Sequence, residues 1–284
     1  MPTQTVTEKL LGHQRLIVLI GIVLLTLSAW WFLFHGAGMQ MDIFAMTQLS
    51  LIPYQDAGMP MDMPEMDMHI HAWSWQDWSI ALTMWWVMMV AMMLPSATPM
   101  IMLYARVMHH ARKGTDSTIV VASAAFMLGY LSSWLLFSVG ATCLHWALQQ
   151  ANLLSMLMTM NNGWLSGLLL ILVGLYQLSP LKHSCLKHCQ SPASFIATHM
   201  QSGQLGAYQM GLTHGLYCVG CCWLLMLLLF VGGIMNLVWI ALLSIFVLLE
   251  KAFPQISKLP QLSAFLLLVW GMTIVAIQML AQIK

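Results

Sequence analysis

The sequence predicts an all-α fold, a polytopic transmembrane helical bundle of about seven spans. Three observations predict it. Hydrophobic residues make up 60% of the 284 and charged residues 7%, with a mean hydropathy of +0.80. Soluble domains do not show that balance, whereas helical membrane proteins do. Apolar runs recur at 16–34, 78–104, 118–142, 163–180, 207–231, 235–250 and 261–281, most of them near the length of about 20 residues that crosses a bilayer. The basic residues between these runs alternate in side. The net charge of +1 points to no nucleic-acid partner.

Nine of the ten Lys and Arg fall in alternate loops. Lys9 and Arg15 precede the first run, and Arg106, Arg112 and Lys113 follow the second. Lys182 and Lys187 follow the fourth, and Lys251 and Lys258 lie between the sixth and seventh. The positive-inside rule then sets the N-terminus in the cytoplasm and the C-terminus outside. The chain divides into a cytoplasmic tail and first span (1–34), an extracytoplasmic Met/His/Asp-rich loop (35–77) and a helical membrane core (78–284). The first run is followed by WWFLFHG, with no small-residue cleavage site, so it reads as an uncleaved anchor.

The outer loop contains Met39, Met41, Met46, Met59, Met61, Met63, Met66 and Met68, then His69 and His71. Thioethers have no proton to lose and are soft, so they suit Cu(I), and imidazole adds an option for Cu(II). Pro60 and Pro64 oppose helix there. Six of the nine acidic residues also lie in this loop, so it attracts cations generally.

In the second span, Met88 and Met92 share a helix face, as do Met89 and Met93. Pro95 and Pro99 each remove a backbone donor, so the span is expected to break there. A broken helix beside soft ligands is a place for a site, and Met88 and Met92 are the candidate ligands. Between the fourth and fifth spans, PLKHSCLKHCQSP reads as a cytoplasmic loop with His183, Cys185, His188 and Cys189 among lysines. That cluster suits either thiolate ligation or anchoring to lipid headgroups. Glu250 and Lys251 end the sixth span and read as a surface pair, with pairing inside the bundle as the alternative.

The fifth span carries the sharpest signal. His214, Cys218, Cys221 and Cys222 fall on one stripe, with Cys218 about 40°, Cys221 about −20° and Cys222 about 80° from His214. Soft ligands at membrane depth mark a functional site by default. The stripe also fits close packing, because Cys acts as a small hydrophobe and Gly211 and Gly215 share its side. His214 and Cys222 stand about 12 Å apart along the axis, so one ion cannot take the whole stripe. A compact set is expected: Cys218 with Cys221 or Cys222, or His214 with Cys218, completed by Met88 or Met92.

The segments AMMLPSATPMIMLY from Ala91, YQLSPLKHSCLKHC from Tyr176 and HGLYCVGCCWLLM from His214 carry a family likeness. Over roughly 78–258 the chain resembles a bacterial family of uncharacterised, predicted metal-binding integral membrane proteins, a domain of unknown function. The resemblance implies a helical protein of the bacterial inner membrane with a metal site, whose shared ligands carry over to His214, Cys218, Cys221 and Cys222. The Met-rich loop looks like an elaboration outside the shared core.

Three functional readings stand side by side. The first is a copper-binding membrane protein that captures Cu(I) and holds it for transport or delivery, with zinc as the alternative metal. Its partners would be the bilayer, the ion and a periplasmic metallochaperone or membrane partner subunit. The second is a membrane metalloenzyme that uses the bound metal for redox chemistry. The third is a structural subunit without metal. The chain shows no Walker motif or dinucleotide fingerprint, which argues against ATP-driven pumping by this chain alone.

Overall fold

The computed structural model describes residues 6–38, 73–111, 116–155, 158–253 and 258–283. Met61, Met63, Met66, Met68, His69 and His71 of the outer loop lie outside the described residues. The described chain is helical throughout: α1 (Val6–Phe34), α2 (Trp75–Ala111), α3 (Asp116–Gln150), α4 (Gly163–Gln177), α5 (Pro180–Gln190), α6 (Pro192–His199), α7 (Gly203–Leu227), α8 (Leu229–Gly232), α9 (Leu237–Ala252) and α10 (Leu259–Ile283). Among the described residues the only strand-like pairing is an isolated bridge between Leu154 and Met160.

Local chemistry sets the helix starts. Ser74 and Asp77 cap α2 reciprocally: the Ser74 backbone N–H and hydroxyl donate to the Asp77 carboxylate, and the Asp77 N–H donates back to Ser74 Oγ. Asn162 opens α4 by accepting from the backbone N–H groups of Trp164 and Leu165. Ser179 caps α5, and Pro180 follows at its first position. Asn236 caps α9, after Gly233 turns the chain at φ 98°.

Among the described residues, five helices are long and apolar enough to cross a membrane, or six if α4 and α5 form one bent span. Seven separate spans are not seen among them. The run at 235–250 becomes a helix only from Leu237 to Ala252, about 24 Å long, against a hydrocarbon core of about 30 Å. The fourth run ends at Gln177, and the chain turns by 62° into α5.

The second span is not broken. The helix α2 runs unbroken for 37 residues through Pro95 and Pro99. Side chains reach backbone carbonyls in the turn before the first proline: Tyr130 and Ser96 donate to the Met93 carbonyl, and Ser244 donates to that of Met92.

Small residues set the two closest helix pairs. At the α3–α7 contact, Gly211 lies against the Phe126 backbone and Gly129 against the Tyr208 carbonyl. Ser133 donates to the Leu212 carbonyl at 2.9 Å across the same seam. At the α4–α10 contact, Gly167 and Gly271 face each other's carbonyls. Such close approach is the packing expected where lipid offers no hydrophobic force between helices. By contrast, α1 and α10 leave large apolar side chains outward, including Leu24, Trp31, Phe265 and Leu280.

Gly211→Ala should destabilise the protein by about 1–3 kcal/mol, the range for overpacking, because the added Cβ would overlap the Phe126 backbone. Gly140→Ala, where a Cβ meets nothing within 4 Å, should leave stability unchanged or raise it slightly. Thermal unfolding in detergent, followed by tryptophan fluorescence, checks both. Equal melting temperatures for Gly211→Ala and the parent would mean the seam is looser than described.

Candidate metal centre

The helix α7 presents His214, Cys218, Cys221 and Cys222 to the interior, and all four are buried. The Gly211 and Gly215 side of the same helix packs on α3, so the stripe serves both packing and presentation. The Cys218 sulfur is the hub. Tyr130 Oη lies 3.1 Å from it, and Lys251 Nζ lies 2.8 Å from it. The thiols of Cys221 and Cys222 both donate to the Cys218 carbonyl, at 3.1 and 3.0 Å. Cys222 Sγ also lies 3.9 Å from Met93 Sδ.

His214 stands one turn before Cys218. Its ring sits among Phe126, Tyr130 and Phe195, at centroid distances of 6.1, 6.0 and 5.2 Å. Among the described residues its buried Nδ1 has no hydrogen-bond partner. Met88 and Met92 are fully buried in α2. The methionine sulfur that meets Cys222 is that of Met93, one position beyond Met92.

Segment 180–190, expected as a cytoplasmic loop, is the helix α5, lodged against α7. Cys185 Sγ lies where a side chain on Gly220 would otherwise stand. His188 stacks on Tyr217 at 4.3 Å with an interplanar angle of 1°. The Cys189 thiol interacts with those of Cys218 and Cys221. Tyr176, at the end of α4, donates to the Gly220 carbonyl. His183 and Lys187 face outward.

The lysine assignments change with it. Lys182 is buried and pairs with Glu250 at 2.6 Å. Lys182 also donates to Gln177 Oε1, while Gln177 Nε2 donates to Ser263 Oγ at 2.9 Å. Gln190 Nε2 donates to the Glu250 carbonyl. Glu250 and Lys251 are therefore not a surface pair: each is buried, and each faces a different partner. Lys251 reaches Cys218 and also donates to Ser96 Oγ at 3.3 Å. Lys182 and Lys251 are thus paired inside the bundle rather than loop charges, which realises the alternative for Glu250 and Lys251.

Tyr130, Lys251, Met93 and Cys189 belong to the centre but were not picked out from sequence as its members. Lys251 was detectable, because an ionisable residue at the end of an apolar run is a functional candidate. Nothing local to Tyr130 marks it. Among the described residues, no three His, Cys, Asp or Glu side chains close on a single point as a preformed metal site. The contacts are pairwise: the Cys221 and Cys222 thiols each reach the Cys218 carbonyl, and Cys222 Sγ reaches Met93 Sδ. Such soft pairs can hold a soft monovalent ion, and Lys251 supplies a positive charge beside the hub in an apolar surround.

A family model described as "PpoB2: Copper chaperone" matches residues 82–274. No curated protein and no solved structure matches the chain. The matched stretch covers α7 with its stripe, α5 and α9, and stops short of the Met-rich loop.

Lys182→Met should cost about 3–5 kcal/mol by leaving Glu250 buried without its counter-charge. The double variant Lys182→Met/Glu250→Leu should recover most of that loss, because the desolvation of both charges is removed. Chemical unfolding of the full chain in detergent, read by far-ultraviolet circular dichroism, measures both. A double variant as unstable as the single one would show that the pair is not what holds α5 to α9.

Proposed function

The chain belongs to this copper chaperone family, and from that premise we propose that it captures Cu(I) and holds it within a bilayer for transport or delivery to another protein. The single observation that carries this reading is that the Cys221 and Cys222 thiols both sit on the Cys218 carbonyl, with Met93 Sδ 3.9 Å from Cys222 Sγ, inside a bundle of apolar helices. Thiols and thioethers together select Cu(I) over harder ions, and the thioether weighs against zinc. Cys218 is the first ligand, with Cys222 and Met93 or Cys221 beside it and His214 one turn away. Each thiol that binds copper gives up a proton, so uptake releases protons.

The outer loop is the collecting segment in this reading. Met61, Met63, Met66 and Met68, with His69 and His71, take Cu(I) at the extracytoplasmic face. The N-terminus lies in the cytoplasm of a bacterial inner membrane, and the receiver is a periplasmic metallochaperone or a membrane partner subunit.

Cys218→Ser should abolish the ultraviolet Cu(I)–thiolate charge-transfer band of the full chain, a band that methionine and histidine do not produce. The protein should stay folded, since a single atom changes. Leu225→Ala, on the same buried stripe, should keep the band while losing about 2–5 kcal/mol of stability. A full band in Cys218→Ser would refute the site.

A peptide of residues 56–72 should keep its Cu(I) near pH 5, where about 6.5 is the ordinary imidazole pKa and His is mostly protonated. The sign follows from the ligands: thioethers do not titrate, so only the His share of the affinity is lost as pH falls. Competition against a Cu(I) chelator at pH 7 and pH 5 measures it. Collapse of affinity at the lower pH would assign the binding to His69 and His71 instead.

A further inference from the structure

The proposed centre lies wholly inside the bundle, so copper needs a way to reach it. Cys218, Cys221 and Cys222 are buried, whereas Cys185 and Cys189 are half-buried. Those two sit on α5, four residues apart and therefore on one face. That face is turned to α7. Cys185 fills the notch at Gly220, and His188, between the two cysteines, stacks on Tyr217. Cys185 interacts with Cys221, and Cys189 interacts with both Cys221 and Cys218. The two half-buried thiols of α5 thus face the three buried thiols of α7.

Resting on the copper-holding reading above, we propose that Cys185 and Cys189 are the open end of the metal centre, and that Cu(I) passes between the surface and Cys218 along this line of thiols. Cu(I) binds readily to two sulfurs, so pairwise contacts are sufficient and no closed three-residue site is required. At each step the incoming thiol loses its proton as its sulfur bonds to copper. The outgoing thiolate takes up a proton as its bond breaks. Copper stays Cu(I), and no electron moves. The buried Lys182–Glu250 pair keeps α5 in place while this occurs. His183 and Lys187, on the outer side of α5, are not part of the line.

Loading of the full chain with Cu(I) from its bicinchoninate complex tests this, with the Cu(I)–thiolate band as the readout. Cys185→Ser and Cys189→Ser should each fill roughly tenfold more slowly, the lower end of what loss of a supporting ligand costs a metal site. In the parent, Cu(I) should protect Cys185 and Cys189 from N-ethylmaleimide, as mapped by mass spectrometry, and leave exposed Cys143 reactive. This second measurement needs no variant to fold. Loading of both variants at the parent rate, with Cys218→Ser lacking the band, would overturn the line of thiols and leave the centre standing. Unprotected Cys185 and Cys189 in a copper-loaded parent would overturn it too. A full band in Cys218→Ser would instead remove the centre itself.

Discussion

The buried ion pair between Lys182 and Glu250 decides the arrangement of the centre. Two charges taken out of water cost several kcal/mol each, and only close mutual contact with further hydrogen bonds offsets that cost. Here the contact is 2.6 Å, and Gln177 accepts from the same ammonium. The pair draws α5 into the bundle instead of leaving it at the surface. It also fixes the rotation of α9. Neighbouring helical residues point about 100° apart. With Glu250 turned to α5, Lys251 is turned toward Cys218, where its ammonium stands 2.8 Å from the sulfur.

A second constraint comes from glycine. The backbones of α3 and α7 approach so closely at Gly129, Gly211 and Gly215 that a Cβ at any of them would collide. Tyr130 follows Gly129 directly, and Cys218 lies one turn beyond Gly215. The close approach therefore brings the Tyr130 hydroxyl between the Cys218 sulfur and the Met93 carbonyl. One hydroxyl joins three elements: the proline-bearing helix α2, its own helix α3, and α7. The glycines that suggest mere packing are what allow the polar contacts to form.

Much of the fold was legible in the sequence, because composition and apolar run length act locally and additively. The helical class and the burial of the Cys stripe follow from such signals. The failures have one source, which is tertiary satisfaction of a local defect. Pro95 should break α2, yet the helix runs through it, with Tyr130 and Ser244 of neighbouring helices bonded to carbonyls in the turn before it. Lys182 and Lys251 should mark loops, but each finds a partner inside the bundle. The PLKHSCLKHC segment looks polar enough for a loop, yet its polar groups are divided between an outer face (His183, Lys187) and an inner one (Lys182, Cys185, Cys189). In the site, the residues on the α7 stripe were visible because they share one helix. Tyr130, Met93, Cys189 and Lys251 come from four other helices, and no spacing rule connects them.

The open geometry of the sulfur cluster suits a carrier better than a store. Structural metal sites close four ligands around the ion and become part of the folding energy. A protein built that way cannot release its metal without coming apart. Here, Cys221 and Cys222 hold their thiol protons against the Cys218 carbonyl, so their side chains are ordered without metal. Tyr130 and Lys251 do the same for Cys218. The thiols thus have a hydrogen-bonded state of their own, and in the proposed reading copper would exchange with those contacts. The bundle stays folded on either side of that exchange because its rigidity comes from elsewhere, from the glycine seam and the Lys182–Glu250 pair.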